Sequence, residues 1–354
     1  MSALTREQIL EAIAANETLK KVDLSGVDLS GADLTGGRFH DAVMHGVNLS
    51  GANVLKTGFK KCDLSGANFD GTDLTKVDLR KMRMAGASFK DAKIHMTVMQ
   101  HADLSGADMQ GAELTWTMAQ HTNLTGADMR FMKIQKTVLN HSTLDGVNFA
   151  GANLDRVTFN GASLLSARLK GASWFKIMLR GADLENQDIS GQLFSQVLLD
   201  DANLRGANLS GANLSMSNFM NADLSGANLS GATACSCMFN EAIVREANFS
   251  RADLTKSYFG GADVTVADFS GATMVHAIFA KAICRGTNFT GAQLQHSDFS
   301  HADLTQANFR RASLFRASLH RIIDKETHWD GANLMALKGT DKELEEAENW
   351  IPTS

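Results

Sequence analysis

Ala222-Asp223-Leu224-Ser225-Gly226 decides the fold, because the same five positions recur through most of the chain, as at Ala102-Asp103-Leu104-Ser105-Gly106. Taking the apolar third residue as the centre, the frame runs from Leu24 to Leu319, (319 − 24)/5 + 1 = 60 consecutive pentapeptides without an insertion or deletion. Only Ala119, Ala234 and Cys284 among these centres are not large aliphatic residues, Met or aromatic. A short strict period implies a stacked solenoid, in which each unit buries its face only against its neighbours. Such a body has a long surface and no built-in cleft.

Two residues before each centre lies a second small site, as at Ala32, Val47, Ala67, Ala152 and Ala202. Asp or Asn mostly stands between the two, and Ser or Thr and then Gly follow, as after Leu64 and Leu124. Two inward and three outward residues in five fit neither a helix nor an alternating strand. The pattern predicts a short extended piece and then a tight corner, where Gly eases the backbone. Phe adds a longer period. It occupies Phe69, Phe89, Phe149, Phe249, Phe269, Phe289 and Phe309 on one set of centres, and Phe39, Phe59, Phe159, Phe219, Phe239, Phe259, Phe279 and Phe299 on the set ten residues away. Alternation every ten residues is expected when four pentapeptides make one coil.

These units resemble the A-(D/N)-L-x-x signature of the pentapeptide-repeat family, over about five-sixths of the chain. The resemblance implies an all-β fold, a right-handed quadrilateral β-helix with four five-residue sides per coil. Sixty units would make 15 coils, a shaft about 70 Å long at an inter-strand spacing of ~4.8 Å. The expected organisation is an N-terminal helical cap (1–18), the repeat β-helix (19–320) and a C-terminal cap with a short helix (321–354). Open ends of a solenoid need covers. Thr5-Arg6-Glu7-Gln8 reads as a capping box that starts a helix with Ile9, Leu10 and Ile13 on one face. At the other end the frame slips near Asp324 and returns at Trp329 and Leu334. Thr340 and Asp341 then begin a helix to about Asn349, with Leu344, Ala347 and Ile351 to bury.

Composition sets further limits. Net charge is −5 and the isoelectric point is near 6.1, so no global basic field recruits nucleic acid. Four cysteines do not make a disulfide framework; Cys62, Cys237 and Cys284 fall at inward positions and Cys235 outward. No signal peptide or membrane span is predicted, which makes a cytoplasmic location the simplest expectation, with signal-independent export left open. The sequence offers no phosphate-binding glycine loop, zinc-protease motif or nucleophile elbow, and therefore no catalytic, cofactor or metal residues. Asp and Asn share one place in the frame, so neighbouring carboxylates arise by default. The column His101, His121, His141 has two readings, a shared metal or a solvated basic edge continuing Lys61 and Lys81.

The departures from the repeat cluster on one corner. A column that would normally hold Asp or Asn reads Val98, Met118, Val138, Met178, Leu198, Met238, Tyr258 and Ile278. Two residues earlier stand Lys56, Lys76, Met96, Trp116, Lys136, Arg156, Lys176, Met216 and Lys256. An apolar stripe bordered by a basic one is either a docking surface for a protein partner or a corner whose residues turn inward to pack. The expected function is a non-enzymatic binding or scaffold protein. Leu4 to Leu10 followed by repeats also resembles pentapeptide-repeat proteins linked to bacterial type VI secretion. The alternative is the gyrase-binding, DNA-mimicking branch, which resembles acidic shafts dimerised through C-terminal helices. This chain departs from that branch in length, in weaker acidity and in its Lys/Arg columns, while homodimerisation through its C-terminal segment stays open.

Overall fold

The computed structural model describes residues 4–350, and Cα packing divides the chain into two compact units, residues 1–183 and 184–354. In both, residues of the ladder pair in parallel with those twenty positions on, so four pentapeptides close one turn. Unit 1 opens with helix α1 (Arg6–Ala14). Strands β1 (Thr18–Lys20), β2 (Arg38–His40) and β3 (Gly58–Lys60) form one parallel sheet. Strands β4 (Lys93–His95), β5 (Glu113–Thr115), β6 (Lys133–Gln135), β7 (Asn153–Asp155) and β8 (Ser173–Phe175) form a second. Everywhere else the ladder consists of single bridges such as Asn48↔Asn68, because only about three residues are extended before the chain turns. In unit 2 the bridges run from Asp188↔Asn208 to Ser318↔Lys338, followed by helix α2 (Lys342–Asn349).

The corner chemistry explains the repeat. The N–H of Val27 donates to the carbonyl of Leu24 at 3.2 Å, and Gly26 between them has φ +68°, the pattern of a type II turn. Asp23 Oδ1 accepts the Ser25 N–H at 3.0 Å and the Ser25 hydroxyl at 2.6 Å. Asn123 and Thr125 repeat that pair of bonds, so Asp and Asn are interchangeable before the centre and Ser or Thr is favoured after it. Along the walls the Leu24 N–H reaches the Val43 carbonyl at 2.7 Å, which carries backbone satisfaction from coil to coil. Where Thr replaces Ala at the small inward site, its hydroxyl finds a carbonyl, as Thr72 Oγ1 does with Leu49 at 2.8 Å.

Inside, the centres stack. In unit 2, Phe239, Phe259, Phe279 and Phe299 form one column with centroids 4.6–4.9 Å apart, and Phe249, Phe269, Phe289 and Phe309 form the facing one. The columns meet edge to face, as Phe259 does Phe269 at 5.6 Å. In unit 1, Phe149, Phe159 and Trp174 make the corresponding cluster. Each such ring contributes roughly 1.5–3 kcal/mol of burial, before the edge-to-face term.

At four pentapeptides per turn, each unit holds about eight turns of a parallel β-solenoid. Two expectations need correction. The register does not slip at Asp324: Ile323 pairs with Asp303 and Lys338 with Ser318, since backbone pairing tolerates an exposed Asp at a centre. Helix α2 forms with Asp341 as N-cap, but Leu344 is 48% exposed and Ala347 is exposed too; Ile351 lies outside the described residues. The helix is held instead by polar contacts, with Arg321 Nη1 2.9 Å from Glu348 Oε2 and the Asp341 N–H donating to His320 Nδ1 at 3.0 Å. At the N-terminus the capping box of Thr5 and Gln8 is present, and Ile9 is buried. Arg6 donates to the carbonyls of Asp28 and Ser30, and the Ile13 side chain packs where a Gly37 side chain would stand.

Candidate docking face

The face lies on one wall of unit 1, crossed once per turn by residues 55–61, 75–81 and so on to 175–181. Val98, Met118, Val138, Thr158 and Met178 are successive bridge partners, so their side chains form one outward column along the ladder. None belongs to the fully buried core: Met118 and Met178 are exposed, and Val98, Val138 and Thr158 are half-buried. In unit 2, Leu198, Met238, Tyr258 and Ile278 take the same outward position, with Asn218 between the first two. The bordering corner column of unit 1, from Lys56 through Met96, Trp116, Lys136 and Arg156 to Lys176, sits at φ between +50° and +62°. L-residues there project from the edge of the wall.

Trp116 is 54% exposed, and Lys136 Nζ stands 4.1 Å from its ring centroid. Lys176 lies 5.1 Å over Phe175 in the same way. These cation–π contacts hold the two rings against the edge of the wall. Sequence reasoning missed them, although Trp116 and Lys136 are one turn apart and the period alone brings them together. The two acids of the wall are both held by arginines. Asp78 is bonded by Arg80 (2.6 Å) and Asp155 by Arg156 (2.7 Å), and those bonds keep both carboxyls below the usual range. A notch of about 400 Å³ opens where Gly58 interrupts the outward column, with Phe59 and Met82 beneath it and Lys60, Lys61, Asp78, Arg80 and Lys81 around it.

His101, His121 and His141 stack face to face with centroids 4.9 and 5.2 Å apart. Two nitrogens on one zinc stand at most about 4.2 Å apart, so parallel rings at this spacing do not converge on a metal. They form an exposed edge of the wall. A different cluster was missed from sequence, because its members are far apart in the chain: His301 Nε2 lies 3.1 Å and His320 Nε2 3.4 Å from the Glu348 carboxylate. The Asp341 N–H occupies His320 Nδ1, which leaves the ring proton on Nε2, facing Glu348. The cluster latches α2 to the last turn. Cys237 is buried and Cys235 half-buried on opposite sides of the wall; burial pushes their thiols up to about 12 and about 11.

A family model described as pentapeptide repeats (8 copies) matches residues 19–54, 59–95, 97–131, 133–173 and 179–215. A second, described as pentapeptide repeat region, matches residues 232–309. No curated protein sequence matches the chain. Among solved structures, the chain is similar to the pentapeptide repeat protein Rfr23 of the cyanobacterium Cyanothece 51142, at 20% identity over 31% of this chain and 88% of that one, with a TM-score of 0.30. It is similar to HetL of the cyanobacterium Nostoc sp., a pentapeptide repeat protein involved in heterocyst differentiation regulation, at 22% identity over 94% and 98%, with a TM-score of 0.21. It is also similar to QnrB1, a plasmid-mediated fluoroquinolone resistance protein, at 16% identity over 68% and 97%, with a TM-score of 0.34. Among the described residues, no helix is long and apolar enough to cross a membrane.

Proposed function

Because the chain belongs to the pentapeptide-repeat family, we propose that it is a non-enzymatic binding or scaffold protein that presents a rigid solenoid wall to a partner protein. One observation carries the reading: the outward column Val98, Met118, Val138 and Met178, flanked by Trp116 under Lys136, is an apolar stripe with ordered edges that the core does not use. Leu198, Met238, Tyr258 and Ile278 extend the proposal to unit 2. The gyrase-binding alternative has less support, since a wall rich in Lys and Arg is a poor mimic of DNA. The secretion-accessory reading rests on residues 4–10, which also serve as the end cover through Arg6 and Ile9. A homodimer through the C-terminal segment is part of the same proposal, because Leu334, Leu344 and Trp350 stay exposed there.

The test is capture of partners from lysate by the wild-type chain and by Trp116→Ala and Val138→Asp variants, with melting curves to verify folding. Loss of the same partners from both folded variants supports the stripe. Retention of every partner by both removes it. Inhibition of gyrase supercoiling at micromolar protein would revive the alternative.

A further inference from the structure

The seven passes of the unit 1 wall hold ten Lys or Arg residues against two Asp, in a chain whose net charge is −5. Both Asp residues are already taken by Arg80 and Arg156. The corresponding passes of unit 2, from 195–201 to 295–301, hold Lys256 and Lys281 against Asp200, Asp201, Glu241 and Asp298. The positive wall is therefore a property of unit 1 and not of the repeat. Five of the ten are not engaged in this way: Lys56, Lys60, Lys61, Lys76 and Lys81 make no ion pair among the described residues. Lys56, Lys61, Lys76 and Lys81 occupy corners at φ between +57° and +62°, where glycine is the unstrained choice.

From this charge asymmetry we infer that the partner is an acidic protein segment that carries apolar side chains between its carboxylates. Its apolar residues lie along Val98, Met118, Val138 and Met178, and its carboxylates meet Lys136, Arg156 and Lys176 on one border of the stripe and the cluster Lys56, Lys60, Lys61, Lys76 and Lys81 on the two turns before it. The Gly58 notch, whose own carboxylate Asp78 is bonded by Arg80, receives one acidic group between Lys60, Lys61 and Lys81. The apolar centre separates this partner from duplex DNA, whose phosphate surface offers nothing to bury against Met118 or Trp116. Complementary charge sets the rate and orientation of docking, and the stripe slows release.

The inference rests on the docking reading. Its test is titration of the full chain at low salt with a dye-labelled glutamate–tyrosine copolymer, with poly-L-glutamate and a short duplex DNA as rivals. The copolymer is expected to bind more tightly than either rival and to weaken steeply as salt screens the wall. The combined variant Lys60→Glu, Lys61→Glu, Lys81→Glu is expected to weaken it at least about tenfold, and Lys256→Glu with Lys281→Glu to leave it unchanged. Equal affinity for duplex DNA, or undiminished binding by the folded Lys60/Lys61/Lys81 variant, overturns the inference. The two proposals fail differently. If Trp116→Ala loses its captured partners while charge reversal leaves them bound, the docking face stands and the acidic partner does not. If neither variant loses anything, both go.

Discussion

The imidazole of His141 fills the space a side chain on Gly161 would need: a Cβ there would stand 2.5 Å from Nδ1. The histidine stack ends on this glycine because each ring leans over the next turn. Gly161 also has φ +62°, so alanine would meet both backbone strain and a ring that must move. Gly161→Ala is expected to destabilise by about 1–2 kcal/mol, in urea or thermal melts. Gly126→Ala isolates the backbone part, since Gly126 has φ +69° and nothing near its Cβ. Equal losses for the two variants would mean that the His141 ring gives way freely.

Neighbouring residues on opposite sides of one wall give a sharper test of the fold. Phe259 stacks between Phe239 and Phe279 at 4.6 and 4.7 Å, while Tyr258 is 42% exposed. Phe259→Ala is expected to cost about 3–5 kcal/mol, and Tyr258→Ala to stay within about 0.5 kcal/mol. Similar losses at both positions in denaturant melts would contradict the in–out assignment.

The walls were legible because every five residues repeat the whole rule: an Asx-type bond at the corner, one small and one large residue inward, and a period of twenty for Phe. That local redundancy ends at the last turn. Asp324 looked like a break, yet the Ile323 bridge to Asp303 persists, because the ladder bonds through backbone whatever the centre holds. The pattern of Leu344 and Ala347 suggested an apolar cover, and α2 instead docks through Glu348. Nothing periodic signals that Glu348 meets His301 and His320, which stand 47 and 28 residues before it. The Trp116–Lys136 contact was open to the same twenty-residue arithmetic that placed the Phe columns. The orientation of the apolar column was beyond the sequence, since corner packing and an exposed stripe favour the same residue types.

The thiols should be inert in the folded protein. Burial raises Cys62, Cys237 and Cys284, and burial with the nearby Asp253 raises Cys235 to about 11. A raised thiol stays protonated at neutral pH. For Cys235, a shift from 9.0 to about 11 leaves about a hundredfold less thiolate. Ellman's reagent at pH 8 is expected to react slowly with native protein, Cys235 first, and rapidly with all four thiols in guanidinium. One fast thiol in the native state would contradict the buried placement.

The contact that holds α2 carries its own pH dependence. Partial burial opposes the charge on Glu348, but hydrogen bonds from Arg321, His320 and His301 outweigh it and hold the carboxyl below its ordinary value of 4.5. A carboxylate depressed in the folded state contributes stability that is present above its unfolded value and is lost as pH falls through the folded one. The latch should therefore hold at neutral pH and weaken below about pH 4. Hydrogen exchange should show this as faster exchange of the Leu344 amide, relative to its intrinsic rate, while amides of the Phe259 turn remain protected. Glu348→Gln removes the charge without removing the shape, so at pH 7 its helix should exchange as the wild-type helix does in acid. Arg321→Ala should act in the same direction, because Arg321 bonds both Glu348 and Asn349. If α2 of Glu348→Gln stays as protected as wild type at pH 7, the helix is held by something other than this carboxylate.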